Sequence, residues 1–352
     1  MNSGQQPSLW NAVRGWFAHQ ATHVTVEFLP DPDAQPLDAY GGYVRLWFAE
    51  GFLGHDVSWT NKQFPVLHAG VALNFLGQDG TAFSTFTQQS QDVTVRGAFL
   101  DYRITPLVPF NGGTVEIQAA LYRATVEGPL GNAVALAGNL ASLVGPPLAT
   151  AATVVQKVSA GLGQILDASK DDPVLGVHYT MVSPGGGLAE LRPGVLVVAA
   201  KPAHQLGGTL VLGADGRVAL ATAGGNRPLA GTDYLALRVE CRTERDDWRF
   251  PELDTLIKAA QVAAVEGNKE AFERRRTAAV ARAWDTPDLV GFDHKRVADL
   301  VERMIGLAGA PGIIARSEDL TLDQAAPQYL LARDAPQLDG LTFDQLLART
   351  RS

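Results

Sequence analysis

The densest group of ionisable side chains in this chain is Glu244-Arg245-Asp246-Asp247-Trp248-Arg249. Carboxylates set beside guanidinium groups can hold a divalent cation or relay protons, because a carboxyl group's pKa responds strongly to neighbouring charge. A hydrolase or metal-dependent enzyme built on this stretch is one reading, with Glu244, Asp246 and Asp247 as its working groups. The other is an ion-paired corner, since consecutive residues point in different directions and Asp246 and Asp247 need not share a site. The corner reading is preferred. The same six residues are then the first candidates for gripping a partner, because Trp and Arg are favoured anchors at interfaces.

Other chemistries find no footing in the spacing of residues. There is no G-x-x-x-x-G-K-[ST] loop and no G-x-G-x-x-G between a strand and a helix. The run Pro184-Gly185-Gly186-Gly187 is followed by Leu-Ala-Glu-Leu, without the Lys a phosphate cradle needs. A G-x-S-x-G elbow and an H-E-x-x-H helix are absent too. The seven histidines are scattered over expected strands and loops. His19 and His23 meet at i, i+4 only if the first helix runs that far, and the following VTVEFL ends it. Cys241 is the single cysteine, so an intramolecular disulfide and a multi-cysteine zinc site are excluded. Neither a metal nor a cofactor is expected. The net charge of −8 gives the chain no electrostatic reason to seek phosphate backbones, so nucleic acid is not an expected partner.

The elements that must position the corner follow from periodicity. From His23 to Thr125 the period is two: Val24, Val26 and Phe28 alternate with polar residues, as do Val44, Leu46 and Phe48. AFLDYRITPLVPF, the turn Asn111-Gly112-Gly113 and TVEIQAALYRA predict a hairpin, since Asn-Gly supplies positive φ. About seven short strands separated by turn signals predict an antiparallel β-sandwich over 23–127. A second, smaller β unit is expected over 171–250, with Asp215-Gly216 closing a tight hairpin. Its most regular strand is YLALRVECRTER, with Leu235, Leu237, Val239 and Cys241 on the core face and Arg238, Glu240 and Arg242 in water. On that face Cys241 reads as a small buried hydrophobe rather than a nucleophile.

Between these β regions lies an uncharged stretch from Gly128 through Gln156, broken at Pro146-Pro147. Leu136, Leu140 and Val144, then Leu148, Ala152, Val155, Val158, Leu162 and Ile165, recur at helical spacing and predict an apolar helical hairpin over 128–170. A run of about 20 apolar residues can cross a bilayer, so insertion of 129–166 by a membrane-active effector is one reading. The arms are short and interrupted by Asn132, Asn139, Gln156 and Lys157, which favours burial in protein.

At the N-terminus, residues 1–22 predict a short helix with Trp10, Trp16 and Phe17 on one face. From Pro251 the period returns to 3.6. Three helices are expected, the first opened by Pro251 and ended by Gly267-Asn268, the third capped by Asp293 with a stripe of Val297, Leu300, Val301, Met304 and Ile305. The arginines Arg274, Arg275, Arg276 and Arg282 read as a solvated face balanced by Glu266 and Glu270. A loosely held tail completes 251–352.

The fold expected is therefore α+β. Its expected role is non-enzymatic, a scaffold or adaptor that assembles with itself or another protein through Glu244, Arg245, Asp246, Asp247, Trp248 and Arg249, with Trp10, Trp16 and Phe17 as further contacts. The cysteine count and the lack of a secretory signal at the first residues suggest a cytoplasmic address.

Overall fold

The structure, a computed structural model, describes residues 15, 18–52, 63–74, 81–88, 99–125, 173–187, 189–229 and 231–308, with backbone alone for 63–74, 81–88, 99–102 and 123–125. Trp10, Trp16 and Phe17, the hairpin expected over 128–170 and the tail beyond 308 lie outside the described residues. What is described mixes antiparallel sheets with helices.

The strands are β1 (Thr25–Pro30), β2 (Tyr43–Phe52), β3 (Gln63–Asn74), β4 (Thr81–Gln88), β5 (Phe99–Arg103), β6 (Val108–Pro109), β7 (Thr114–Thr125), β8 (Leu175–Val182), β9 (Gly194–Ala199), β10 (Thr209–Leu212), β11 (Val218–Thr222), β12 (Gly225–Pro228) and β13 (Tyr234–Arg242). The helices are α1 (Ala203–Leu206), α2 (Pro251–Val265), α3 (Lys269–Asp285) and α4 (Asp293–Ala308). One sheet runs β1-β9-β13-β2-β5, with β6 also on β2; a second runs β4-β3-β7-β8; a small third runs β10-β11-β12. Strands from before residue 128 and after residue 171 thus share both larger sheets.

The turn at Asn111-Gly112-Gly113 does not close the hairpin that its residues predict. Gly112 and Gly113 do take positive φ, at 92° and 83°, but β6 before them pairs with β2 while β7 after them pairs with β3 and β8. The corner passes the chain from one sheet to the other, because turn chemistry sets the local bend and leaves the partner strand open. Asp215-Gly216 does join β10 to β11 as a hairpin, with Gly216 at φ 74°.

Apolar positions of both larger sheets meet in one cluster. Val44, Leu46 and Phe48 from β2 and Leu235, Leu237 and Val239 from β13 lie with Val115, Ile117, Ala119 and Leu121 from β7 and Leu175, Val177 and Met181 from β8. Cys241 packs against the same cluster, half-buried. The opposite face of β9 and β13 carries Val195, Val197, Ala199 and Ala236, which pack on Leu210, Val218 and Leu220 of the small sheet. The first sheet is therefore apolar on both faces along β9.

One irregularity decides where an acid goes. Leu237 pairs with Phe48 but Ala236 pairs with Glu50, so Ala49 is an extra residue on β2. Strict alternation from Phe48 would drive Glu50 into the apolar cluster between the sheets. The bulge turns it to the face of Ala236 instead. There, 5 % exposed, it accepts a hydrogen bond from the backbone N–H of Val218 and pairs with Arg217 at 3.5 Å.

The helices form a second core. Pro251 stands in the first turn of α2, and Asn268 caps α3 by accepting from the Ala271 N–H at 3.0 Å. Leu253, Ile257 and Ala260 meet Ala279 and Ala283, then Val297, Val301 and Ile305 of α4. Tyr43 and Leu107, from the sheet region, complete this cluster. Among the described residues no helix is long and apolar enough to cross a membrane.

Candidate functional site

The stretch from Glu244 to Arg249 joins β13 to α2, and its side chains go to different places. Arg245 turns inward and is 0 % exposed. Its Nε donates to Asp247 at 2.7 Å and Nη1 to the Asp288 carbonyl at 2.8 Å. Its guanidinium carbon lies 4.6 Å from the centre of the Phe250 ring and 5.9 Å from that of Tyr43. A planar cation between aromatic faces is a favourable use of arginine when water is excluded.

Asp246 points the other way, along the sheet. Arg45 donates to one of its oxygens at 2.8 Å and Arg242 to the other at 2.8 Å. Arg45 lies 5.5 Å over the Trp47 ring, whose Nε1–H donates to Glu240 at 2.6 Å. Asp246 and Asp247 therefore do not share a site: Asp246 is held by Arg45 and Arg242, Asp247 by Arg245. Arg238 and Glu240, expected in water, are half-buried and paired, Arg238 with Asp31 and Glu240 with Arg242. Trp248 is half-buried against the helical core. Arg249 pairs with Asp254 of α2, and Glu244, 66 % exposed, stands 3.7 Å from Arg296.

The residue that organises the corner is Asp293, 1 % exposed at the start of α4. The sequence suggests a helix cap; the carboxylate instead reaches across to the sheet. One oxygen accepts the Tyr43 hydroxyl at 2.8 Å and the Arg245 backbone N–H at 3.1 Å, and Arg296 grips the carboxylate with two nitrogens. Arg296 also donates to the Arg245 carbonyl at 2.7 Å, and the Tyr43 oxygen accepts the Val290 N–H at 2.9 Å. Burial, opposed by the Val290 N–H and reinforced by the neighbouring Asp293, holds the Tyr43 phenol far above its ordinary value, so it stays a proton donor to the carboxylate. Gly42 lets β2 enter here: a Cβ at that position would lie 2.1 Å from the Arg242 carbonyl oxygen.

Tyr43, Asp288, Asp293 and Arg296 were not legible as corner residues, because they lie in other elements far along the chain. Their only sequence signal is the capping position of Asp293. The arginines of α3 are likewise balanced by other acids than Glu266 and Glu270: Arg276 pairs with Glu273 of its own helix and with Glu302 of α4, and Arg282 with Glu252 of α2.

Chemically, the arrangement is a polar joint between sheet and helices. Among the described residues no group of three or more His, Cys, Asp or Glu side chains is placed to hold a metal ion. Around the joint, two large aromatics face solvent: Phe292, immediately before Asp293, and Trp284, stacked on His294 at 6.3 Å, are each 52 % exposed. The chain matches no protein-family model and no curated protein.

Proposed function

We propose that this protein is a non-enzymatic scaffold or adaptor, assembling with another protein or with a second copy of itself. The observation that carries the reading is the division of labour at the start of α4. The buried charges of Arg245 and Asp293 are consumed in holding helices to sheet and Asp246 and Asp247 are taken up by arginines, while Trp284, Phe292, Glu244 and Arg249 are left outward around them. Aromatic and arginine side chains on a rigid frame suit an interface. The commitment of Asp246 and Asp247 to arginines speaks against an enzyme working through Glu244, Asp246 and Asp247.

This reading takes the two larger sheets as the layers of an antiparallel β-sandwich, supported by the cluster they share. A cytoplasmic setting, supported by the single cysteine, belongs to the same reading. The test is the mass of the native particle, purified from cells and alone, beside a Trp284→Ala, Phe292→Ala double variant. The reading requires a particle heavier than one chain that the variant reduces. A lone chain in every preparation would refute it.

A further inference from the structure

On β7 the residues Val115, Ile117, Ala119 and Leu121 belong to the core between the sheets, so Glu116, Gln118 and Ala120 project from the opposite face. Gln118 is 0 % exposed, and neither its amide oxygen nor its amide nitrogen has a hydrogen-bond partner. A buried amide with both ends unmet is costly and calls for a partner. In the ladder it stands between Gly70 of β3 and His178 of β8, and its neighbour Ala120 stands beside Gly176.

Beside it, His178 Nε2 lies 3.5 Å from Glu116 Oε2, with the two side chains 22 % and 24 % exposed. That distance is at the outer limit of a hydrogen bond. Two ligand atoms bound at about 2.0–2.2 Å to one tetrahedral ion stand roughly 3.3–3.6 Å apart. Alternate residues of one strand and the facing residue of its neighbour lie on one side of a sheet, as Glu116, Gln118 and His178 do.

We propose that these three residues bind a first-row divalent cation of the zinc type, through one imidazole nitrogen, one carboxylate oxygen and the amide oxygen of Gln118. Imidazole and carboxylate suit such an ion, and amide carbonyls are accepted oxygen ligands. The partly exposed Glu116 and His178 form the entrance, and the buried amide forms the floor. The site is independent of the assembly role proposed above.

The test is calorimetric titration of the chelator-treated full-length protein with zinc chloride. One saturable site per chain is expected. Gln118→Leu and His178→Ala should each weaken it about tenfold or more, while Gln118→Glu restores it and His204→Ala leaves it unchanged. Cobalt should give the visible absorption of a tetrahedral site in the wild type and lose it in His178→Ala. Absence of saturable binding would overturn the proposal. So would zinc binding untouched by both Gln118→Leu and His178→Ala, which would mean an adventitious ion only. Should Gln118→Leu fail to fold, His178→Ala and Gln118→Glu decide the matter by the same readouts.

Discussion

The hydroxyl of Tyr43, the first residue of β2, donates to the carboxylate of Asp293, the first residue of α4, across 2.8 Å in the protein interior. Because the same carboxylate also receives the Arg245 backbone N–H, one oxygen ties together the sheet, the strand-to-helix corner and the last described helix. Tyr43→Phe removes one hydrogen bond and leaves the Val290 N–H without its acceptor. The expected loss is about 1–3 kcal/mol in urea unfolding. Asp293→Ala takes the buried carboxylate from Arg296, leaves two further donors unmet and should cost about 3–5 kcal/mol.

Arg245→Lys is not a conservative change at this corner. A lysine has no planar group to lie between Phe250 and Tyr43 while reaching both Asp247 and the Asp288 carbonyl. Thermal unfolding of Arg245→Lys should therefore show a loss near that of a broken buried pair, about 3 kcal/mol. A melting point equal to the wild type would show that the stacking contributes nothing.

Glu50 fastens the small β10-β11-β12 sheet through the Val218 N–H. Glu50→Leu leaves that donor unmet and should increase hydrogen exchange across β10 to β12 while sparing β7 and β8, which pack on the opposite face of the first sheet. Equal protection in both proteins would contradict this.

Asp254 supplies an acid-side dependence of stability. Its burial alone would raise the carboxyl pKa, but the hydrogen bonds and charges of Lys258 and Arg249 outweigh it and hold the value below the ordinary carboxylate range. A carboxyl depressed in the folded state stabilises fully above its unfolded value, about 3.9. That contribution falls away as pH drops through the lower folded value. In Asp254→Asn, the urea midpoint should lie below the wild type at pH 6, and the gap should close as the pH falls below 4. A gap that is constant with pH would assign the effect to packing.

Cys241 should resist thiol reagents. Burial, reinforced by Glu240 and Asp31, pushes its thiol pKa up to about 12, so little thiolate exists at neutral pH. Modification at pH 7.5 should be slow in native protein and fast in urea. Rapid native labelling would show an opened β13.

What the residues disclose and what they hide differs by kind of information. Alternation in β13 assigns Leu235, Leu237 and Val239 to the core, and the 3.6 period of α4 assigns Val297, Val301 and Ile305. Partner choice is hidden: Trp47 and Glu240 are 193 positions apart, and nothing in either strand names the other. The same holds for the bulge at Ala49, visible only once β13 lies beside β2. The corner was visible as a charge cluster, but Tyr43 and Asp293, which turn it into a joint, belong to other elements.

The most direct measurement of that joint is residue-resolved hydrogen exchange on Asp293→Ala beside the wild type. If buried charges hold the helices to the sheet, amides of α2, α3 and α4 lose protection by a larger factor than those of β7 and β8 within the apolar cluster. Helical amides that keep their wild-type protection in the variant would contradict the account.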